Sequence, residues 1–327
     1  MAKAKQIATI DFDGAADLGM RLVLTSRLQE MSALKERALD WRRAEGVHDM
    51  RVASRRLRSA LRDFLPYIRK RRLASSMGQV KAIAYALGRI RDQDVAIMAL
   101  EKLASRAPAE VAASVQQFAT ARKARRDEAR KKLETILNED ALAQLQHVFA
   151  AAIEAGTAVV QRGKRTGTAQ PAGTVTLSYR KAARLIILER LRELESLSGA
   201  LFHPLRVQPL HKMRIAAKRL RYALELFDQC GEESLSFFAR KAAGLQGSLG
   251  ELHDCDVWIE SFGNDLSHTK RSPETDGVKQ ASQRAASLWL LSYFLKLRTK
   301  NLRKALLQWD EWQTKGYSLQ LRQLIRS

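Results

Sequence analysis

The sequence predicts an all-α protein made of two helical bundles, and three observations support this fold class. Apolar residues recur at helical spacing along almost the whole chain, and the alternating pattern of half-buried strands is missing. Leu and Ala are abundant, whereas the 327 residues include only 6 Pro and 17 Gly, which favours helices. Two motifs also occur twice, in the same order and at nearly the same separation, which indicates an internal duplication.

Composition and charge narrow the class of protein. A hydrophobic content of 46% is sufficient for a sizeable core, and the net charge of +22 points to an anionic partner such as nucleic acid, acidic lipid or an inorganic polyanion. Two cysteines fit a reducing cytosol rather than a disulfide scaffold. Neither a secretory signal nor a run of about 18 apolar residues is found, so we expect a cytoplasmic protein without a membrane span.

The first duplicated motif is a basic amphipathic helix, "VHDMRVASRRLRSALRDF", at residues 47–64. On a helical wheel, one histidine and four arginines fall within roughly 80° of one another. An apolar stripe is centred about 150° away from them. The cationic row is His48, Arg51, Arg55, Arg58 and Arg62, and the apolar stripe is Met50, Ala53, Leu57, Ala60, Leu61 and Phe64. Arginines at i,i+4 repel each other, so such a row favours a bound anion, and arginine contacts phosphate oxygens in pairs.

The second copy of this motif is "LHKMRIAAKRLRYALELF", at residues 210–227. It repeats the cationic row with His211, Arg214, Lys218 and Arg221, and the row ends at Glu225. The predicted anion site also includes Arg56 and Arg219, which flank the two rows, and Tyr222, which lies beside the second row. Each histidine lies near a predicted helix start. Two roles stay open for them, which are phosphate binding at the helix N-terminus and bracing of the helix from a buried position.

A second motif follows each basic helix, "LGRIRDQDVAIM" at 87–98 and "LGELHDCDVWIE" at 249–260. The two histidines lie 163 residues apart and the two motif starts 162 apart. We therefore predict a first repeat at 1–165, a linker at 166–176 and a second repeat at 177–327. Arg89 and Arg91 are added to the predicted anion site. Four aspartates are expected to orient arginines of a neighbouring helix or to cap a helix, namely Asp92, Asp94, Asp254 and Asp256.

The pattern H-x-M-R-x-x-x-[KR]-R-L-R-x-x-L, followed by L-G-x-x-x-D-x-D-V, resembles the CHAD family in both halves. The resemblance covers roughly residues 15–320. It implies two four-helix bundles related by a pseudo-twofold, with basic residues of both halves lining a central cleft or pore that holds inorganic polyphosphate. It also implies a targeting or sequestering role at polyphosphate granules. The implied phosphate contacts are Arg51, Arg55, Arg58, Arg214, Lys218 and Arg221, with His48 and His211 at the same surface.

Two alternatives compete with this reading. Nucleic-acid binding is the main one, but neither row shows interleaved aromatics for base stacking apart from Tyr222, so we expect nucleic acid to bind only weakly.

Catalysis is the second alternative. No Walker A loop, G-x-S-x-G elbow or other catalytic motif is present, and neither His-Asp pair survives in both halves. We therefore expect a binding module that is not an enzyme and has no metal or cofactor.

Overall fold

A computed structural model describes residue 7 and residues 10–68, 70–156, 177–231, 234–268 and 277–326. Within this part of the chain the secondary structure is helical, with a single isolated bridge between Ala15 and Ser178, which confirms the all-α prediction. The helices are α1 (Ala16–Ser32), α2 (Lys35–Leu39), α3 (Ala44–Phe64), α4 (Lys70–Ala104), α5 (Ala109–Ile136), α6 (Glu139–Gly156), α7 (Tyr179–Ser196), α8 (Val207–Leu226), α9 (Ser236–His268), α10 (Gly277–Thr314) and α11 (Tyr317–Leu324). Two short 3-10 helices lie at Leu65–Tyr67 and Ser198–Phe202.

The chain forms two compact units. The first contains the described residues of Met1–Arg91, Glu128–Leu188 and Leu226–Glu233. The second contains those of Asp92–Asp127, Glu189–Glu225 and Ser234–Ser327. Each unit takes segments from both predicted sequence repeats, and the predicted linker at 166–176 lies outside the described residues. The duplication of the sequence and its boundaries stay predictions.

In the first unit, α3 packs against α1 and α2 with its apolar stripe inward. All six predicted stripe residues, from Met50 to Phe64, are buried, which confirms the predicted amphipathic pattern. On α1, Met20, Leu24 and Leu28 are buried as well. Phe64 at the end of α3 meets Tyr179 and Phe227, with ring centroids 6.2–6.5 Å from its own. Burial of one face fixes which side of α3 is left for its cations.

In the second unit, α9 and α10 pack along their length. The core between them includes Cys255, Phe262 and Phe294, joined by residues from the C-terminal part of α4 and the N-terminal part of α5. Trp258 stacks on Phe262 and Phe294 at centroid distances of 5.5 and 5.2 Å. Apolar residues on one side of α8 are buried as well, among them Met213, Leu220 and Leu224. None of the described helices is long and apolar enough to cross a membrane.

Candidate anion-binding surfaces

The side chains of the cationic row on α3 are half-buried. His48, Arg51, Arg55, Arg58 and Arg62 are all partly accessible. Burial lowers the pKa of the Arg58 guanidinium. A cation that has lost part of its hydration gains more from an anion than a fully solvated one does, because the local dielectric is lower.

His48 is surrounded by other cations of the first unit. Burial lowers the pKa of His48, and the charges of Arg91, Arg55 and Arg51 lower it further, whereas Asp49 opposes them. Its imidazole is therefore mainly neutral at pH 7. The Nδ1 atom is buried and has no hydrogen-bond partner in the described part of the chain. The structure thus brings Arg91 of α4, from the second motif, to the basic row of α3.

The row of α8 is less accessible at its far end. His211, Arg214 and Lys218 are half-buried, whereas Arg221 is only 5% exposed. The Arg221 Nε atom lies 3.2 Å from Glu225, and its guanidinium lies 4.8 Å from the centroid of the buried Tyr222 ring. Glu225 replaces Arg62 of the first copy, so a carboxylate neutralises the end of this row. The accessible part of the α8 row is its N-terminal half.

His211 has a partner that the repeat comparison did not place in the site. Its Nδ1 atom lies 3.3 Å from Nδ1 of His253 on α9, with ring centroids 4.2 Å apart. Burial lowers the pKa of His253 to about 4, with Arg214 and His211 adding to the effect and Asp256 opposing it. Burial, Arg214 and Lys218 lower the pKa of His211 as well. In the second motif His253 occupies the place of Arg91, and that correspondence is the sequence signal by which it is recognised.

Each basic-row histidine is the fifth residue of its helix, since α3 begins at Ala44 and α8 at Val207. An α-helix leaves only its first four N–H groups without an intrahelical partner. The backbone N–H groups of His48 and His211 therefore lie beyond the free N-terminal donors. Any phosphate contact of these residues would therefore involve their imidazoles, and the two roles left open for them stay predictions.

The flanking arginines are held by glutamates in both units. In the first unit, Glu30 of α1 lies 2.7 Å from Arg27 and 3.1 Å from Arg56. In the second unit, Glu193 of α7 pairs with Arg190 and Arg219. Each residue of the first cluster has a residue of the same type in the second cluster, 163 residues later. The pairs are Arg27 and Arg190, Glu30 and Glu193, and Arg56 and Arg219. Arg56 and Arg219 are thus tied to a neighbouring helix, and the two glutamates were missed because their contacts are long-range.

The second motif supplies a further repeated contact, within the second unit. Asp94 lies 3.8 Å from Arg126 of α5, and Asp256 lies 2.5 Å from Arg298 of α10. Asp92, Asp254 and Arg89 are exposed. Asp94 thus contacts an arginine of α5 and Asp256 an arginine of α10, and the supporting role of the four aspartates stays a prediction. Among the described residues, no group of three His, Cys, Asp or Glu side chains is arranged to hold a metal ion.

Fold and surfaces together define an all-helical protein with half-buried cationic helix faces. The CHAD domain model matches residues 22–263, and the chain belongs to this family. Among solved structures it is similar to the CHAD domain from the plant Ricinus communis, with 22% identity, a TM-score of 0.61, and coverage of 92% of this chain and 96% of that one. It is also similar to PptA from Streptomyces chartreusis, with 14% identity, a TM-score of 0.62, and coverage of 91% and 100%. These identities show a shared fold, and no curated protein matches the chain.

Proposed function

We propose that the protein binds inorganic polyphosphate through the cationic faces of α3 and α8, as a polyphosphate-targeting or sequestering module in the cytoplasm or at polyphosphate granules. The observation that carries the proposal is the row of half-buried cations on α3, spaced three or four residues apart on one face. Like charges at this spacing destabilise a helix, and a polyanion lying along the row removes the repulsion. Membership of the CHAD family supports the same ligand.

The choice of polyphosphate over nucleic acid rests on what the rows lack. Proteins that bind single strands stack bases on accessible aromatic rings, and sequence-reading proteins present base-edge donors. Tyr222 is the aromatic residue beside the rows, and it is buried under the guanidinium of Arg221. Half-buried arginines without such a platform suit a thin chain that carries charge on every unit. Nucleic acid remains the second candidate because the net charge of +22 attracts any polyanion.

We also propose that the protein is not an enzyme. Arginines and a lysine act on the half-buried histidines of both rows. Among the described residues, no group of three His, Cys, Asp or Glu side chains is arranged to hold the metal ion on which much phosphate hydrolysis depends. A binding module of this kind holds its ligand by charge alone. Incubation with long-chain polyphosphate and divalent cations is expected to leave the chain length unchanged on a gel, and progressive shortening would contradict the proposal.

A competition assay separates the two candidate ligands. Labelled long-chain polyphosphate is bound at about 150 mM salt, where long-range charge effects are largely screened. Single-stranded DNA, duplex DNA and RNA are then added at equal phosphate concentration. The proposal predicts that none of them displaces the label. Ready displacement by nucleic acid would identify the rows as a general anion surface and favour the second candidate.

A charge-matched pair of variants tests the location of the site. Replacing Arg51, Arg55, Arg214 and Lys218 together by Gln is expected to weaken polyphosphate binding strongly with an unchanged helical circular dichroism spectrum. The control replaces four exposed lysines that lie outside the rows, which are Lys81, Lys131, Lys300 and Lys304. Both variants lose the same charge. Equal affinity of the two folded variants would reject the site assignment.

A further inference from the structure

The two cationic clusters differ in one position that changes their chemistry. In the first unit, the histidine of the basic row faces Arg91, which carries a permanent charge. In the second unit, the matching histidine, His211, faces His253 at an Nδ1–Nδ1 distance of 3.3 Å. A titratable imidazole pair therefore stands where the first unit has a fixed guanidinium, and its charge depends on what surrounds it.

The groups around this pair come from three helices. From α8, Arg214 faces both imidazoles and Lys218 acts on His211. From α9, Asp256 opposes their effect on His253, and Arg298 of α10 lies 2.5 Å from that carboxylate. Burial and these cations all lower the pKa of the two imidazoles, so both imidazoles are neutral in the free protein at pH 7. Two of the groups that keep them neutral belong to the proposed anion-binding row.

The contact between the rings tolerates one added proton. In the neutral pair, one Nδ1–H donates a hydrogen bond to the unprotonated Nδ1 of the other ring. A proton from solvent then binds to the free nitrogen of the donor ring and makes it an imidazolium, which donates the same hydrogen bond more strongly. Protonation of the pair therefore requires no rearrangement of α8 against α9.

We propose that the His211–His253 pair takes up a proton when a polyanion occupies the α8 row, so that binding by this row is coupled to pH. The inference rests on the proposed function. Phosphates that contact Arg214 and Lys218 neutralise the charges that oppose protonation and bring negative charge close to the imidazoles. A proton then binds where the free protein excludes one. His253 is thereby a residue that sets the pH response of the second unit.

The direction of the pH dependence follows from linkage. In the free protein, burial and neighbouring cations lower the pKa of both imidazoles, to about 4 for His253. The proposal implies that a bound polyanion raises the pKa of the pair above its value in the free protein. Between the two values, the complex holds more protons than its free components. Affinity therefore increases as pH falls from 7 towards 5, and the logarithm of the association constant changes by up to about one per pH unit for one coupled proton.

The test is isothermal titration calorimetry of the full chain with long-chain polyphosphate at pH 6, in two buffers with different ionisation enthalpies. The difference between the two observed binding enthalpies, divided by the difference between the ionisation enthalpies of the two buffers, gives the number of protons taken up. His253→Arg, which copies the first unit, is expected to retain binding and to lose most of the uptake. Arg91→His is the matched variant, and it is expected to increase the uptake. The terminal phosphates of the ligand titrate identically with every variant.

Each outcome decides a separate question. Equal proton uptake by the wild type and His253→Arg would overturn the coupling while leaving polyphosphate binding intact. Absence of binding by the wild type at every pH would reject the proposed function itself. If His253→Arg does not fold, NMR titration of the wild-type histidines with and without polyphosphate gives the answer. An increase in the pKa of either imidazole of the pair on binding supports the coupling, and unchanged pKa values of both imidazoles contradict it.

Discussion

Glu30 joins two arginines that come from different helices, Arg27 of α1 and Arg56 of α3. The Arg56 and Glu30 side chains are only 15% and 13% exposed, so this is a largely desolvated cluster rather than a surface ion pair. Removing one partner of such a cluster deprives the other buried charges of an oppositely charged neighbour, which costs more than the pair itself contributes. The cluster therefore fixes α3 against α1 and, with it, the direction of the basic row.

Replacing Glu30 by Gln is expected to destabilise the protein by about 1–3 kcal/mol, because two guanidinium groups lose a charged acceptor in a partly buried site. The measurement is the free energy of unfolding from urea denaturation. The matched control is Glu128→Gln, which breaks an exposed 2.6 Å pair with Lys132 and is expected to change the free energy of unfolding far less, because solvent screens an exposed ion pair. Equal changes in the free energy of unfolding for the two substitutions would show that the Glu30 cluster contributes no more to stability than an exposed ion pair.

At the scale of elements, the position of α3 depends on its close approach to α2. Gly46 lies in the first turns of α3, and a Cβ atom there would clash with the Arg37 carbonyl of α2. The backbone of α3 is therefore closer to α2 than any side chain permits. Since His48 follows two residues later, the same contact sets the start of the basic row.

Gly46→Ala is expected to reduce the free energy of unfolding by about 1–3 kcal/mol, because the clash outweighs the better helix propensity of alanine. The control is Gly247→Ala within α9, where an added Cβ meets no atom within 4 Å. There alanine is expected to stabilise by up to about 1 kcal/mol. Thermal or urea unfolding compares the two variants, and a stabilising Gly46→Ala would contradict the packing argument.

The helical elements and the inward face of α3 were predictable from the sequence because both follow from a local period of 3.6 residues. The fate of single cations was not. Arg221 matches Arg58 in the repeat, yet it is buried against Tyr222 and paired with Glu225. The histidine contact of His211 depends on how α9 packs on α8, 42 residues further along the chain. Long-range packing decides such contacts, and no local pattern encodes it.

At the scale of the whole molecule, a net charge of +22 draws every polyanion towards the protein, whatever the rows do. Affinity alone therefore does not identify a site. A site differs from diffuse attraction in the number of phosphates that are neutralised by fixed contacts, and each such contact releases counterions. The dependence of affinity on salt counts these contacts.

Polyphosphate affinity is expected to fall steeply with salt, and the variant lacking Arg51, Arg55, Arg214 and Lys218 is expected to lose part of this dependence. By analogy with single-stranded nucleic acid, each phosphate contact contributes about −0.7 to the slope of log affinity against log salt. Removing four contacts reduces the steepness by about 3. Fluorescence titrations between about 50 and 200 mM salt span the range where such slopes are measurable.

The control without Lys81, Lys131, Lys300 and Lys304 is expected to keep the wild-type slope. A row variant with the wild-type slope would show that these four cations do not contact phosphate, since loss of net charge is identical in both.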